Sequence, residues 1–384
     1  MAEGPFLSPT PFTPPTPEDD GSSWLRLMRS RRVGPATFHR LMAEHGSAGA
    51  ALRELPKIAK AAGVEDYQPC PIEVVRHEMA QARLAGATLI LWGQPGYPPS
   101  LMDLADAPPV LWAQGDPALL CQPMVALVGA RNASSLGLRM ARRLAEGLGQ
   151  AGQVIVSGLA RGIDAAAHDA ALPNGTVAVQ AGGVDVIYPE ENAALAARIA
   201  AEGCRISEQP MGLIPQARHF PARNRIVAGL ARAVVVVEAA ARSGSLITAR
   251  AALDLGREVM AVPGHPFDAR AAGCNMLIRD GALLIRGPQD VLEALGAQGP
   301  AAPQTVPGPP PPPLPGPAPT ARPLAEMAQL HARILDRLGP SPLAEDQLIR
   351  DLAMPAAHVT SELVTLELEG RVLRQPGGLL SRIA

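Results

Sequence analysis

The sequence "VALVGARNASSLG", residues 125–137, combines an apolar run, a glycine turn and the start of a helix. This order is typical of the strand, turn and helix that open a dinucleotide-binding domain, where the pattern GxGxxG is expected. Here Ala130 and Arg131 follow Gly129, so the second glycine is missing. The Arg131 side chain would crowd a pyrophosphate but would suit a single phosphate, unless it forms a structural ion pair. The stretch therefore predicts a phosphate-binding turn rather than a dinucleotide site.

The residues around this stretch alternate between candidate strands and candidate helices. Strands are predicted at 124–129, 153–157, 176–180, 204–207, 233–238, 258–262 and 282–285, and helices between them, for example at 136–150 and 246–256. Strands such as "AVVVVEAA" are apolar throughout, which is typical of parallel strands covered by helices on both faces. The predicted fold class for residues 71–297 is therefore α/β, an extended Rossmann domain with a doubly wound, mostly parallel sheet.

A small helical domain is predicted before the Rossmann domain. Residues 23–70 resemble a helix-hairpin-helix or SAM domain, and their basic residues outnumber their acidic ones. The turn "VGPATF", residues 33–38, either offers backbone N–H groups to a phosphate or simply joins two helices. The Pro-, Ser- and Thr-rich residues 1–22 are predicted to be a disordered N-terminal segment.

The region after the Rossmann domain divides into a linker and a third domain. Residues 298–323 contain 12 prolines, which predicts a semi-rigid Pro-rich linker. Residues 324–384 resemble a winged-helix domain, with three helices and a hairpin around Gly377-Gly378. The third helix, 356–369, contains three glutamates and no basic residue, and this composition repels phosphate. We therefore favour a protein-contact role for that helix, with a purely structural role as the alternative.

Composition and charge exclude several classes of protein. The four cysteines are widely spaced and form no CxxC pair, so neither a structural zinc site nor a disulfide framework is expected. No apolar run is long enough for a transmembrane helix, and the N-terminus lacks the features of a signal peptide, so we expect a cytoplasmic protein. The net charge of -2 is uninformative, but residues 125–286 contain 17 Arg against 13 acidic residues.

A second candidate phosphate turn lies in "SGLARGIDAAAHDAAL", residues 157–172. Ser157 and Gly158 end a strand, and Arg161 precedes a helix, so the arrangement repeats that of the first turn. Asp164 and His168 are spaced to share one helical face. Two ligands do not make a metal site, so we expect a hydrogen-bonded pair that fixes the turn, and we expect no metal.

Aromatic and basic residues appear together in the next two turns. In "AGGVDVIYPEEN", residues 181–192, Gly183 permits close backbone approach, and Tyr188 either stacks on a base or packs internally. The following stretch, "PQARHFPARNRIVAGLAR", residues 215–232, contains Phe220 among several arginines and has no acidic residue. Positive charge for a backbone and a ring for a base are what a single nucleic-acid strand requires.

Two further motifs supply polar donors. "RSGSLITA", residues 242–249, places Ser243, Gly244 and Ser245 at a helix start, where N–H and hydroxyl groups are available to an anion. In "GCNMLIRDGA", residues 273–282, the amide of Asn275 is placed to bond either a loop or a base.

Six of these motifs, in this order and spacing, resemble the DNA-processing protein A (DprA/Smf) family: "GARNASSLG", "SGLARGIDAAAH", "GGVDVIYPEEN", "FPARNRIVAGL", "RSGSLITA" and "GCNMLIRDGA". The resemblance covers residues 87–296 strongly and the two terminal domains more loosely. It implies an extended Rossmann domain that binds single-stranded DNA during natural transformation, protects incoming strands and loads the RecA recombinase on them. It also implies a homodimer formed through this domain.

The predicted nucleic-acid-binding residues come from the motifs. The resemblance implies contacts by Arg131, Ser157, Gly158, Arg161, Phe220, Arg223, Asn224, Arg225, Ser243, Gly244 and Ser245. The character of the turns adds Gly129, Gly183, Arg218 and Asn275. No cofactor is expected.

An enzyme is the main alternative. Phosphoribohydrolases with a related Gly-rich turn carry PGGxGTxxE, whose Glu participates in cleavage, whereas the comparable turn here, "ARSGSLITARA", has no Glu. A nicotinamide or flavin oxidoreductase would need an acidic ribose ligand after the second strand, which ends in Ser157-Gly158. No motif places a His to activate Cys274. We therefore expect a protein without catalytic activity.

Overall fold

The computed structural model describes residues 21–102, 104–296, 324–338, 343–352, 354–375 and 379–382. The chain divides into two compact units, one within residues 1–303 and one within residues 304–384. The predicted linker, 298–323, lies outside the described residues. Of the predicted disordered segment only Gly21 and Ser22 are described, and they begin the first helix rather than belonging to a disordered region.

Four helices open the first unit. They are α1 (Gly21–Met28), α2 (Pro35–His45), α3 (Ala48–Ala61) and α4 (Ile72–Leu84). Pro35 suits the first turn of α2 because its missing N–H has no helical partner there, and Ser47 caps α3 by accepting from the Ala50 N–H at 3.2 Å. The domain boundary predicted after residue 70 precedes α4, which packs against both α1 and the first strand.

A nine-stranded sheet forms the centre of the unit. Its strands are β1 (Ala87–Leu91), β2 (Val110–Gly115), β3 (Met124–Gly129), β4 (Val154–Ser157), β5 (Thr176–Val179), β6 (Cys204–Ser207), β7 (Ala233–Glu238), β8 (Glu258–Ala261) and β9 (Leu283–Leu284). Their spatial order is β1-β2-β6-β5-β4-β3-β7-β8-β9. Strands β3 to β9 run parallel, and β1 and β2 extend the sheet in antiparallel pairing. The predicted doubly wound, mostly parallel sheet is confirmed.

Helices cover both faces of this sheet. They are α5 (Ser135–Gln150), α6 (Ile163–Ala171), α7 (Ala193–Glu202), α8 (His219–Leu230), α9 (Ser245–Asp254), α10 (Ala272–Arg279) and α11 (Pro288–Ala294), with short 3-10 helices at Pro99–Leu101, Pro117–Cys121, Leu172–Asn174 and Glu190–Asn192. Every residue of β4 and β7 is buried, which explains why both strands are apolar up to their last residues, Ser157 and Glu238. The strand order reverses at β3, and ligands of such sheets bind at the carboxyl ends beside that point.

The helical domain and the sheet share one hydrophobic core. Trp24 of α1 stacks against Phe38 of α2 with ring centroids 4.9 Å apart, and Trp92, beyond β1, continues the same cluster. An ion pair also joins them: Arg29, after α1, pairs with Glu78 of α4 at 2.8 Å and donates to the Glu208 carbonyl at 3.3 Å. The first unit is therefore a single packed body.

The second unit has the order of elements of a winged helix. It contains α12 (Leu324–Arg337), β10 (Leu343–Ala344), α13 (Glu345–Leu352), α14 (Ala356–Leu368), β11 (Val372–Gln375) and β12 (Leu379–Arg382). The three strands form an antiparallel sheet in the order β10-β12-β11. Strands β11 and β12 are those of the predicted hairpin, whereas Gly377-Gly378 lies outside the described residues.

One glutamate of α14 differs from the prediction of a negatively charged surface. Glu362 is buried, and its Oε2 lies 2.7 Å from Nε2 of His331 on α12. It therefore joins two helices inside the unit, while Glu369 is exposed. The sequence missed this because residue spacing on α14 alone does not reveal which face packs against α12.

Candidate nucleic-acid interface

A long cavity, which we call the groove, lies at the carboxyl ends of β3, β4 and β7. Its volume is about 810 Å³. The turn after β3, the turn after β4, the start of α8, the turn leading into α9, and Arg270 line it. A side pocket of about 440 Å³ adjoins the groove and is lined in addition by Arg161, Tyr188 and Pro189. The groove lies where the strand order reverses, as the doubly wound fold predicts.

Ten of the fifteen predicted residues line these two cavities. They are Gly129, Arg131, Gly158, Arg161, Phe220, Arg223, Asn224, Ser243, Gly244 and Ser245. Segments far apart in sequence are thus brought together because the carboxyl ends of parallel strands share one edge of the sheet. The groove also contains Asn132, Arg242 and Arg270, which the motif analysis had not selected.

Arg131 and Phe220 form the central contact of the site. The Arg131 guanidinium lies 5.4 Å from the centroid of the Phe220 ring, within cation–π range. The Tyr188 ring packs against the Phe220 ring, with the ring centroids 5.8 Å apart and an angle of 54° between the ring planes. Tyr188 is half-exposed, so it offers a ring to the side pocket as well as packing on Phe220. Among the described residues no carboxylate pairs with Arg131, so the structural ion pair considered from the sequence is not formed there.

Arg223 lies beneath this aromatic contact. It is buried, and one terminal nitrogen donates to the Val179 carbonyl at 2.9 Å. Burial lowers the pKa of Arg223, and this effect is opposed by the nearby carboxylate of Asp164. Its Nε has no hydrogen-bond partner within the described part of the chain. A buried N–H without a partner is unfavourable, and this one lies at a residue that lines the groove.

Internal carboxylates accept hydrogen bonds from backbone N–H groups of the first two turns. Glu238, at the end of β7, accepts from the Ser134 N–H at 3.0 Å, and Ser134 caps α5 by accepting from Gly137. Asp164 accepts from the N–H groups of Gly158 and Ala160 at 3.2 and 3.3 Å. The expected phosphate contacts by these N–H groups are therefore replaced by contacts of the protein itself. At these turns the groups left available to an anion are side chains such as Arg131.

Asp164 and His168 do not form the hydrogen-bonded pair that the sequence predicted: Asp164 alone fixes the turn, through the Gly158 and Ala160 N–H groups, and His168 bonds elsewhere. The Nδ1 of His168 lies 2.7 Å from the Thr176 hydroxyl, which donates to the Ile155 carbonyl. Burial, reinforced by the charge of Arg223, lowers the pKa of His168 to about 3. Burial raises the pKa of Asp164, against the opposing effect of Arg223. The described residues contain no group of three side chains that would hold a metal ion.

The turn into α9 is open to solvent. The Ser243 and Ser245 hydroxyls lie 2.7 Å apart, and the Ser245 N–H donates to Ser243 at 3.3 Å. No atom lies within 4 Å of the position that a Cβ on Gly244 would occupy, so a ligand has room there. Arg242 at the same turn is exposed. This end of the groove supplies hydroxyl donors and positive charge.

Five predicted residues lie outside both cavities. Ser157 is buried and donates to the Leu127 carbonyl at 2.6 Å, and Gly183 is buried against the backbone of Pro210 and Gly212. Arg218 is exposed and donates to His219, whereas Arg225 pairs with Asp106 and Glu208. Asn275 bonds both the N–H and the carbonyl of Gly264. Asn275 therefore takes the loop alternative that the sequence left open.

Arg225 illustrates how a basic residue of α8 turns away from the groove. Its guanidinium lies 2.6 Å from the buried Glu208 and 3.0 Å from Asp106. Burial raises the pKa of Glu208, and the charge of Arg225 opposes that rise. Because Arg29 also donates to the Glu208 carbonyl, the pair connects α8 with the helical domain.

Cys274 does not have the properties of a nucleophile. It is fully buried, and burial raises its pKa to about 11. Its Sγ lies 3.5 Å from the Val236 carbonyl, within the sheet side of α10. A thiol held protonated and away from solvent is inert.

Comparisons with known proteins agree with this architecture. Residues 88–296 match the family model described as DNA recombination-mediator protein A, residues 18–81 match a DprA-like N-terminal HHH domain, and residues 309–378 match the DprA winged helix domain. Protein Smf of Escherichia coli is 39% identical over 288 residues, which cover 73% of this chain and 74% of that protein. The part of the chain that the structure describes contains no helix long and apolar enough to cross a membrane.

Two solved structures share the fold with substantial identity. DNA processing protein A from Streptococcus pneumoniae is 36% identical, with a TM-score of 0.61 over 71% of this chain and 97% of that chain. DNA processing protein A from Helicobacter pylori, whose structure is described for its single-stranded DNA binding mode, is 31% identical, with a TM-score of 0.51. That match covers 54% of this chain and 95% of the other.

Proposed function

We propose that this chain, which belongs to the DNA recombination-mediator protein A family, binds single-stranded DNA in the groove. The observation that carries the proposal is the contact between Arg131 and Phe220. It places a cation and a ring side by side at the mouth of a cavity, above the buried Arg223. A single strand needs both, because its phosphates are charged and its bases stack on aromatic rings.

The residues that we propose as DNA contacts are those of the two cavities: Gly129, Arg131, Gly158, Arg161, Phe220, Arg223, Asn224, Ser243, Gly244 and Ser245. The strand lies across several turns, with bases against Phe220 and Tyr188 and phosphates near the arginines. The missing second glycine of the first turn fits this ligand, since a polymer backbone crossing the turn needs the arginine side chain more than open backbone. Phosphate and stacking contacts carry little sequence information, so we expect slight base preference.

The wider role follows from family membership and is proposed with it. The chain would protect incoming single strands during natural transformation and load the RecA recombinase on them, acting in the cytoplasm as a homodimer formed through the Rossmann domain. It would have no catalytic activity and need no cofactor. Binding of single-stranded DNA by the Helicobacter pylori relative supports the first step of this role.

The test is a titration of the full chain with labelled oligo-dT of increasing length at low and moderate salt. We expect tight binding that grows with length and weakens in Arg131→Ala. The matched control is Arg139→Ala, which removes an exposed arginine of α5 outside both cavities. A wild-type chain that ignores oligonucleotides but binds a mononucleotide stoichiometrically would instead support the phosphoribohydrolase-like enzyme.

A further inference from the structure

The loop after β8 lies beside the groove. Strands β4, β3, β7 and β8 are neighbours in that order, and the groove is lined by the turns that follow the first three. With strands about 4.8 Å apart, the carboxyl end of β8 lies about 14 Å from that of β4. The Gly273 N–H, at the start of α10, donates to the Ala239 carbonyl at 2.7 Å, and Arg270 lines the groove itself. The loop over residues 262–271 therefore continues the same edge of the sheet.

This loop is held by its own hydrogen bonds. Asn275 accepts from the Gly264 N–H at 3.1 Å and donates to the Gly264 carbonyl at 3.0 Å. Arg270 binds both oxygens of Asp268, at 3.1 and 2.9 Å. The Asp268 N–H in turn donates to the His265 carbonyl at 2.9 Å. These bonds fix the backbone on both sides of residue 267.

At the tip of this fixed loop stands an exposed aromatic ring. The Phe267 side chain is 94% exposed, whereas Phe38 is fully buried and Phe220 is half-buried in the groove. The His265 ring lies 5.6 Å from the Phe267 ring at 41°. Exposure of an apolar ring to water is unfavourable, yet the hydrogen bonds of the loop hold the backbone in a conformation that leaves this ring exposed. The pair forms a small aromatic platform on the loop whose Arg270, paired with Asp268, lines the groove.

We propose that Phe267 and His265 form a second base-stacking platform for the same DNA strand. The strand that contacts Phe220 continues along the strand ends, past Arg242 and Arg270, and places a later base on Phe267. This inference rests on the proposed function, since it extends the same binding path. Continuity with the groove through Arg270, and the exposed Arg242 in that groove, favour a nucleic-acid strand here over a second copy of the chain.

The experiment compares Phe267→Ala and Phe267→Tyr with the wild-type full chain. Affinity is measured for oligo-dT of about 3 nucleotides, which fills the groove only, and of about 16 nucleotides, which reaches the platform. We expect Phe267→Ala to weaken binding of the longer oligonucleotide roughly tenfold and to leave the shorter one unchanged. Phe267→Tyr should retain both affinities, and neither variant should alter the salt dependence, because no charge changes.

A spectroscopic readout tests the stacking itself. The three natural tryptophans are all buried. Phe267→Trp adds an exposed indole, whose fluorescence we expect the longer oligonucleotide to quench and the shorter one to leave unchanged.

Three results would overturn the inference. They are wild-type affinity of Phe267→Ala for the longer oligonucleotide, absence of quenching, and conversion of a dimer to a monomer by Phe267→Ala, which would assign the ring to a contact between copies. If the wild-type chain binds no oligonucleotide, the proposed function is overturned as well. If wild type and Phe267→Ala bind the longer oligonucleotide equally well, only this inference is overturned.

Discussion

The Arg223 guanidinium occupies the space in which Gly158 would carry a Cβ. The two residues come from different elements, α8 and the turn after β4, and their contact requires the absence of a side chain at position 158. The arginine is also tied to the Val179 carbonyl, so it has little freedom to move aside. The role of Gly158 is therefore to leave space for the Arg223 guanidinium. Its N–H donates to Asp164 and is not available to a phosphate.

Gly158→Ala should displace Arg223 and weaken binding of oligo-dT. We expect a loss of stability of about 1–3 kcal/mol from overpacking and a fall in affinity of roughly tenfold, corresponding to one displaced charged contact. Gly49→Ala is the control, because the new Cβ in α3 would meet only Arg53, at 3.8 Å. That variant should bind normally and gain up to about 1 kcal/mol in stability. Equal binding by both variants would contradict a role for the Arg223 position.

Arg131→Ala and Phe220→Ala should weaken binding in distinguishable ways. Arg131 would neutralise a phosphate, so its removal should reduce the slope of log affinity against log salt by about 0.7. Removal of the Phe220 ring should lower affinity at every salt concentration and leave the slope unchanged, because stacking releases no counterions. Salt titrations of both variants against the same oligonucleotide check this. Identical slopes for Arg131→Ala and wild type would show that this arginine meets no phosphate.

Arg225→Ala should damage the fold rather than the binding surface. It would leave the buried carboxylate of Glu208 without its main partner, which is expected to lower the free energy of unfolding by about 3 kcal/mol. Glu208→Gln keeps a hydrogen-bonding group beside Arg225 and should be milder. Denaturant unfolding measures both. If Arg225→Ala is as stable as wild type yet fails to bind DNA, the arginine contacts the strand after all.

His168 should make stability depend on pH. Its pKa is about 3 in the folded state, because it is buried, against an ordinary 6.5. Below pH 6.5 the unfolded chain therefore takes up a proton that the folded chain refuses, so this contribution to stability is complete above pH 6.5 and is lost as the pH falls toward 3. We expect wild type to lose about 2 kcal/mol more than His168→Gln between pH 7 and pH 5.

Denaturant unfolding at the two pH values measures that difference. The comparison with His168→Gln matters because Asp164 and Glu208, whose pKa values are raised, shift stability in the opposite direction in both proteins. Parallel losses in wild type and variant would mean that His168 is protonated in the folded state.

The sheet and the position of the groove were predictable, whereas the direction of individual side chains was not. Apolar runs such as that of β7 mark buried parallel strands, and parallel strands place their turns at one edge. Arg223 and Arg225, however, lie two positions apart on one helix, so they face nearly opposite sides. One borders the groove and the other meets Glu208, a residue from a different strand end. The sequence shows the basic cluster but does not show which arginine faces the groove and which one pairs with a carboxylate.

The carboxylates that bind the N–H groups of these turns were not predicted, for a related reason. Glu238 lies 104 positions from Ser134, and only the pairing of β3 with β7 brings them together. Asp164 was visible in its motif, but its bonds to Gly158 and Ala160 depend on how the turn folds back on α6. Distant partners of this kind are set by tertiary packing, which a single sequence does not report.

Arg29 donates to the Glu208 carbonyl, and the Glu208 carboxylate pairs with Arg225, so the first helices are connected to α8 through one residue. Removal of the first helices would expose the core that they share with the sheet and would remove the hydrogen bond of Arg29 to Glu208. Since α8 carries Phe220 and Arg223, we expect the loss of these contacts to disturb the alignment of the ring and of the buried cation. The helical domain thus supports α8 without lining the groove itself.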